Sequence, residues 1–433
     1  MASTLARSMG LRKPELIDHT VNVEVLYSAA HAEFPDSEPL GGGKAVADYL
    51  IREWRRSEPF ALSVLSPRSL GLRLQEAARP VPTVFGTPYH LTDLTELQYA
   101  RFCREFEQAA TAEILKRDPK ECIVLSNDIS EGPDFVPLAE RGYRIVTIFH
   151  VDVVEYFTRF YLRGLIRPET AARFRWFRVL PDVLRLVFQK QYECVRHSGR
   201  IVVPSAPMRE MILRCYPWCA ADKIVVLPWG DVAAQSAPHP DPLTAERGEG
   251  PGIGQDGIVI ITLSRLSPEK GIERLLAALP HADTHGKTVR VFICGGPAYM
   301  KGRAYEWKLR RLAAKVTTAR VEFTGHVTGD RKAALLQRAD IFVSPSKHES
   351  YGLTIAEALA AGCRVVSHHH YGAEGEVVDC SDARLLAGVL SRMIVRGRTP
   401  KTGMGRLEPT RAAEKLASLL TATWERPAEP SRR

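Results

Sequence analysis

Residues 346–366, SKHESYGLTIAEALAAGCRVV, decide how this chain is read. They follow an apolar run, ADIFVSPS (339–346), and carry Glu349 and Glu357 on either side of Gly352. The Ala-rich second half predicts a helix opening near Gly352, and CRVV predicts the strand after it. On a continuous helix, eight residues rise about 12 Å and return to nearly the same face. Two carboxylates so spaced can accept hydrogen bonds from hydroxyls at the two ends of an elongated ligand. The free N–H groups of the helix start then face an anion between them. Gly352 would let the backbone approach that ligand closely. On structural grounds alone, Glu349 would be a capping acid and Glu357 a solvent-facing helix residue.

Outward from this stretch, the second half repeats one theme. GIVIITLS, VRVFICGG, ARVEFTGH, ADIFVSPS and CRVVSHH read as strands, separated by the helical patterns EKGIERLLAAL, RAYEWKLRRLAAKV, RKAALLQR and GLTIAEALAA. The first half has the same order, with NVEVLYSAA, FALSVLS, ECIVLSND, YRIVTIFH and GRIVVPS as strands. Its helical patterns include AVADYLIREWRR and LTELQYARFCREFEQAATAEILKR. Short strands that are apolar throughout suit parallel sheets covered on both faces. Repeated βαβα order predicts two doubly wound, Rossmann-like α/β domains. The Pro-, Gly- and Ala-rich stretch after KIVVLPWGD predicts a connection. The expected division is residues 1–231, a linker at 232–256, a second domain at 257–395, and a helix with a disordered tail at 396–433.

The 433 residues exceed one ordinary core, and 45% hydrophobic with 25% charged residues is the composition of a globular chain. No signal-peptide h-region and no apolar run of about 18 residues is seen, so a cytoplasmic chain is expected. The eight scattered cysteines form no CxxC pair and read as free thiols. No cysteine–histidine spacing argues for zinc, and the expected metal content is none. A net charge of +9 favours an anionic partner but does not choose among phosphate ligand, membrane and nucleic acid.

Further candidates sit at predicted strand ends. RLSPEKGIERLL places Arg265 and Lys270 where GIVIITLS turns into a helix, the edge at which open α/β sheets bind ligands. A planar fork and a point charge together suit a diphosphate. Gly295 and Gly296 end ICGG and read either as a backbone approach to a ligand or as a tight turn. PLGGGKAVADYL puts Gly41, Gly42 and Gly43 after the first strand, where backbone N–H groups can meet an anion; the run is neither Walker A nor GxGxxG. His150 ends YRIVTIFH and reads as structural or ligand-binding, and Asp152 as a cap of the helix that follows. Residues 153–196 interleave aromatic and arginine residues. They read as a helical insert, as a membrane-surface or lipid-acceptor patch, or as a nucleic-acid surface.

The span from about Ile258 to Val366 resembles the family 4 glycosyltransferases, which have the GT-B fold of two Rossmann-like domains facing a cleft. The E-x7-E arrangement of Glu349 and Glu357 and the Arg265…Glu-Lys-Gly turn carry the resemblance, with VEFTGHV as a softer match. The resemblance implies transfer of a sugar from a nucleoside-diphosphate sugar to a hydroxyl-bearing acceptor, with retention and no obligatory metal or cofactor. It implies that Arg265 and Lys270 hold the phosphates, that Glu349 positions the sugar, and that Glu357 takes the ribose. Tyr351, Gly352, Leu353 and Thr354 would line the donor. Backbone of His326 and Val327, with Gly295, would lie near the nucleotide. Gly42 and Gly43 would match the family's glycine loop, and His150 its sugar-contacting histidine. The acceptor, a small molecule, glycan or lipid-linked compound, would belong to the less similar first domain. A peripheral membrane contact would lie through residues 153–196, and no nucleic acid is expected.

The pattern breaks after CRVVS. His368, His369 and His370 precede YGAEGEVV, and the glycine-rich segment expected beyond Glu376 is curtailed. Three adjacent histidines cannot all converge on one ion without a special backbone. An epimerase or hydrolase on the same fold would process the donor without an acceptor. A binding protein would explain the charge but not the paired glutamates.

Overall fold

A computed structural model describes residues 23–34, 41–72, 94–173, 182–236, 257–298, 302–398 and 410–425. It contains two six-stranded sheets, each parallel throughout. The first sheet has strands β1 (Glu24–Ser28), β2 (Ala61–Leu65), β3 (Cys122–Ser126), β4 (Arg144–Ile148), β5 (Arg200–Val203) and β6 (Ile224–Val226), in the order β2-β1-β3-β4-β5-β6. The second has β7 (Ile258–Leu263), β8 (Val289–Cys294), β9 (Arg320–Gly325), β10 (Ile341–Ser344), β11 (Arg364–Ser367) and β12 (Glu376–Val377), in the order β12-β11-β10-β7-β8-β9. All ten strands read from the sequence are present. The two not read as strands are edges: three-residue β6, inside KIVVLPWGD, and two-residue β12.

Burial follows the patterning. Every residue of β3 and of β7 is buried, as a β-branched run covered by helices on both faces must be. Two apolar clusters cover the faces of each sheet, and a fifth lies under the helix Glu96–Ile114. The strand orders place a topological switch point between β1 and β3 in one sheet and between β7 and β10 in the other. At such a point the connections leave in opposite directions and open a crevice beyond the strands' carboxyl ends. The architecture is the GT-B arrangement, with both crevices bordering one cleft.

The helix Gly230–Ser236 runs into the stretch read as linker; residues 237–256 lie outside the described set. The C-terminal helix, Ala412–Glu425, returns to the first sheet. Trp54 Nε1 donates to the Ala413 carbonyl at 3.0 Å, and Leu416 and Leu420 join the core beneath β1. Asp231 holds the start of that helix, accepting from the N–H groups of Thr410 and Ala412, each at 2.7 Å. The tail at 426–433 and the N-terminal residues 1–22 lie outside the described residues. All eight cysteines are free and buried. Among the described residues, no helix is long and apolar enough to cross a membrane, and no cluster of metal-ligating side chains occurs.

Residues 153–173 and 182–196 are built into the first domain. Val154, Ala171, Phe188 and Val195 sit in its core, and Arg185 meets Glu107 at 3.2 Å. Residues 174–181 of this segment are outside the described set. Asp152 caps the helix Val153–Phe160, accepting from Glu155 N–H at 2.9 Å.

Candidate active site

A cleft of 1020 Å³ runs between the two sheets and is lined from both. On the second domain, the turn after β7 carries Arg265 and Lys270, and the turn after β10 carries Glu349. Lys270 Nζ donates to Glu349 Oε1 at 2.7 Å. Burial alone would raise the Glu349 carboxyl, but Lys270, with His370 behind it, outweighs that and holds it below its ordinary value. Arg265 lies 3.7 Å from buried Glu269, which also accepts from Ser267 Oγ at 2.5 Å.

The helix starts at Leu353, with Gly352 as its N-cap, so Glu349 lies in the preceding loop and only Glu357 is helical. The continuous-helix spacing is therefore replaced by a loop-to-helix turn. The reason is local: Gly352 adopts φ +80°, which ends the incoming loop, and a Cβ there would meet the Gly372 carbonyl oxygen at 2.8 Å. Gly352 is demanded by its backbone and by the neighbouring loop, without any ligand. The first bonds of the helix run from Ile355 and Ala356 N–H to the Gly352 carbonyl. The N–H groups of Leu353 and Thr354 thus stand at the open end of the helix, and both residues line the cleft. Glu357, buried, accepts from Lys332 Nζ at 2.9 Å. Each glutamate therefore has its own lysine. Gly295, His326, Val327 and Tyr351 also line the cleft.

The glycine loop of the first domain reaches across to this site. Built Cβ atoms would lie 3.6 Å from Arg265 Nε at Gly41 and 3.3 Å from Leu353 Cδ1 at Gly42. Around Gly43 gather Asp128 Oδ2 at 3.2 Å, His150 Cδ2 at 3.5 Å and His31 Nδ1 at 3.8 Å. His150 Nε2 lies 3.2 Å from Asn127 Oδ1, an oxygen that also accepts from Tyr27 OH at 2.5 Å while Asn127 Nδ2 donates to the Gly43 carbonyl. That network puts the His150 proton on Nε2 and leaves Nδ1 as an acceptor. Burial, then His31, drives the His150 pKa down to about 3, so the ring is neutral.

Sequence reading did not single out His31, Tyr99, Asn127, Asp128 or Glu131, which form the first-domain wall. His31 Nε2 lies 3.0 Å from Tyr99 OH, and that hydroxyl donates to Glu131. Burial, and then Glu131, pushes Asp128 well above the ordinary carboxylate range. The available signal was the switch from apolar β3 to SNDISEG at its carboxyl end. Lys332 and His348 were also missed. The three histidines do not converge: His368 Nδ1 accepts from Cys380 N–H at 3.2 Å, while His370 is half-buried on the Glu349 side.

Residues 246–390 match the family Glycosyl transferases group 1. That span contains Arg265, Lys270, Glu349 and Glu357, so the second-domain side of the cleft falls within the part of the chain that matches this family. The D-inositol 3-phosphate glycosyltransferase of Acidothermus cellulolyticus is 33% identical over 189 residues, 41% of this chain and 41% of that protein. The chain spans about two fifths of the length of the curated relatives it matches. Over the whole fold, it is similar to a sucrose-phosphate synthase from Thermosynechococcus elongatus: TM-score 0.62, 17% identity, covering 93% of this chain and 96% of that one. It is also similar to Anabaena HepE in complex with UDP-glucose: TM-score 0.54, 17% identity, covering 92% and 95%. These likenesses establish the two-domain fold.

Proposed function

We propose that this chain is a retaining, metal-independent glycosyltransferase that moves a sugar from a nucleoside-diphosphate sugar to an acceptor hydroxyl. The observation that carries the reading is the pair of lysine-held glutamates on either side of the Leu353 helix start, above the switch point of the second sheet. Glu357 accepts from the ribose, Leu353 and Thr354 N–H groups with Arg265 and Lys270 hold the diphosphate, and Glu349 accepts from the sugar. His150 offers Nδ1 to a sugar hydroxyl, and Gly42 and Gly43 let the first-domain loop close over it. The backbone at Val327 and His326 borders the base. UDP-glucose in the Anabaena neighbour supports the donor class.

In the reaction, the bond from the anomeric carbon to the β-phosphate oxygen breaks and a bond to the acceptor oxygen forms on the same face. The acceptor's proton leaves on the diphosphate. Arg265, Lys270 and the helix start stabilise the charge that develops there as fixed electrostatics, which supports a reaction without a metal ion. Asp128 and His31 face the reacting end from the acceptor side.

Thermal-shift screening of nucleotide sugars, followed by acceptor-dependent release of the nucleoside diphosphate, tests this reading. Turnover of donor without any acceptor would favour an epimerase or hydrolase. An inverted anomer by NMR, or loss of activity in chelator, would overturn the mechanism.

A further inference from the structure

The cleft continues past its polar wall. Besides His31 and Glu131 it is lined by Leu94, Ala100, Cys103, Val183, Leu186 and Val187, and Tyr161 lines it too. These apolar side chains offer a sugar hydroxyl nothing to bond. Leu186 and Val187 lie in a π-helical turn, Arg185–Gln189, inside an otherwise regular helix, a distortion found mostly where function requires it. At the rim, the chain after the helix Val153–Phe160 exposes cationic and apolar side chains alternately: Arg159, Tyr161, Arg163, Leu165 and Arg167. Tyr161 is 43% and Leu165 87% exposed, and Leu97, on the facing helix beside cleft-lining Glu96, is 73% exposed. Arg163 and Gly164 both have positive φ, 51° and 73°, which fold the segment into a projecting turn. Among the described residues, Arg163 and Arg167 have no carboxylate partner, whereas Arg159 is engaged with Glu155 and the Lys347 carbonyl.

We propose that the acceptor is a lipid. Its hydroxyl-bearing head lies against Asp128 and His31, its hydrocarbon chain occupies the apolar arm, and Arg163, Leu165 and Arg167 seat the rim on an anionic bilayer. The inference rests on the glycosyltransferase reading, and it names the substrate class of the same site. Three features fit one occupant: an apolar channel continuous with a polar reaction site, apolar side chains exposed at its opening, and cations between them that complement anionic headgroups. A polynucleotide would match the cations and leave the arm empty.

Two probes test it with the full-length protein. The first is a series of n-alkyl glucosides, hexyl to dodecyl, below their micelle concentrations. Affinity is expected to tighten about fourfold per methylene in the wild type. The tightening should be lost in Val187→Trp, with Val183→Phe as a second blocking variant. Nucleoside-diphosphate affinity should be unchanged in both, which also shows that they fold. The second probe is co-sedimentation with phosphatidylcholine vesicles with and without phosphatidylglycerol. Replacing Arg163 and Arg167 by Ala should weaken binding to the anionic vesicles about 30-fold, since each basic residue near the surface contributes about a factor of five. A flat chain-length series overturns the lipid acceptor even if vesicles bind, and so does binding equal on neutral and anionic vesicles. Either result with intact nucleoside-diphosphate binding leaves the transferase reading standing. Absence of nucleoside-diphosphate binding in the wild type sinks that reading and the inference with it.

Discussion

Gly295 offers the sharpest perturbation, because its two readings, ligand approach and packing, predict different things. A Cβ at this position would sit 1.8 Å from the Ser264 carbonyl oxygen and 2.9 Å from its carbon. Real Cβ contacts stay beyond 3.0 Å, so Gly295→Ala must separate the two loops by more than an ångström. Two backbone bonds bracket the contact: Ser264 N–H to the Cys294 carbonyl at 3.0 Å and Leu266 N–H to the Gly296 carbonyl at 2.8 Å. Breaking both costs about 1 kcal/mol each. The φ of +150° adds a further 1–3 kcal/mol for any residue with a side chain. The expected destabilisation is about 3–5 kcal/mol in urea denaturation without any ligand. Arg265 follows Ser264 directly, so diphosphate affinity should fall about tenfold or more, as displacements of this size do to positioned groups. Gly286→Ala is the control. Its φ is +75° but nothing lies within 4 Å of the added methyl, so about 1–2 kcal/mol and no change in affinity are expected. Wild-type stability in Gly295→Ala, with affinity alone reduced, would refute the packing argument and return the glycine to ligand approach.

Other outcomes follow from the same geometry. Glu357→Ala should weaken nucleoside-diphosphate binding by about 1.5–3 kcal/mol, a charge-assisted hydrogen bond's worth, measured by calorimetry; unchanged affinity for the bare nucleotide would refute the ribose role. Leu416→Ala should destabilise the first domain by about 2–5 kcal/mol, because the C-terminal helix is part of its core. A first domain that keeps its melting transition would show that this helix is dispensable. Desolvation of the half-buried His370 ring lowers its pKa to about 4, so its neutral form stabilises the fold above about pH 6.5 and that contribution is lost as pH falls toward 4. His370→Gln should therefore gain stability relative to wild type between pH 6.5 and 4. The difference cancels Glu155, whose carboxyl burial raises to about 7 and which acts with the opposite sign. A constant difference across that range would show that His370 does not titrate in the unfolded chain alone.

The fold was legible because parallel strands buried on both faces leave apolar runs that need no partner to be recognised. Strands β6 and β12 escaped because an edge of two or three residues carries too little pattern. At the site, residues on one local motif were readable: Glu349, Gly352 and Glu357 share a turn, and Arg265 and Lys270 share another. Spacing misled where a backbone detail intervened, since the left-handed Gly352 separates Glu349 from the helix that carries Glu357. The first-domain wall was opaque for a different reason. His31, Tyr99, Asp128 and Glu131 come from three separate segments and meet only because β1 and β3 are neighbours.

The lysine partners follow the same logic and say something about how the site works. Lys270 and Glu349 are 79 residues apart, Lys332 and Glu357 are 25 apart, and neither pairing is written in any one motif. Both carboxylates are held in place by a cation from another element before any ligand arrives, Lys270 from the turn after β7 and Lys332 from the helix Gly329–Arg338. A glutamate left alone in this cleft would bear the full cost of burial and would swing or take up a proton. Paired, each stays an acceptor of fixed direction. In the proposed reaction Lys270 serves twice, orienting Glu349 at rest and meeting the diphosphate as it leaves. For that reason Lys270→Met should lose more than a phosphate contact: sugar selectivity among nucleotide donors should relax along with affinity, whereas Lys332→Met should reduce affinity for all of them alike.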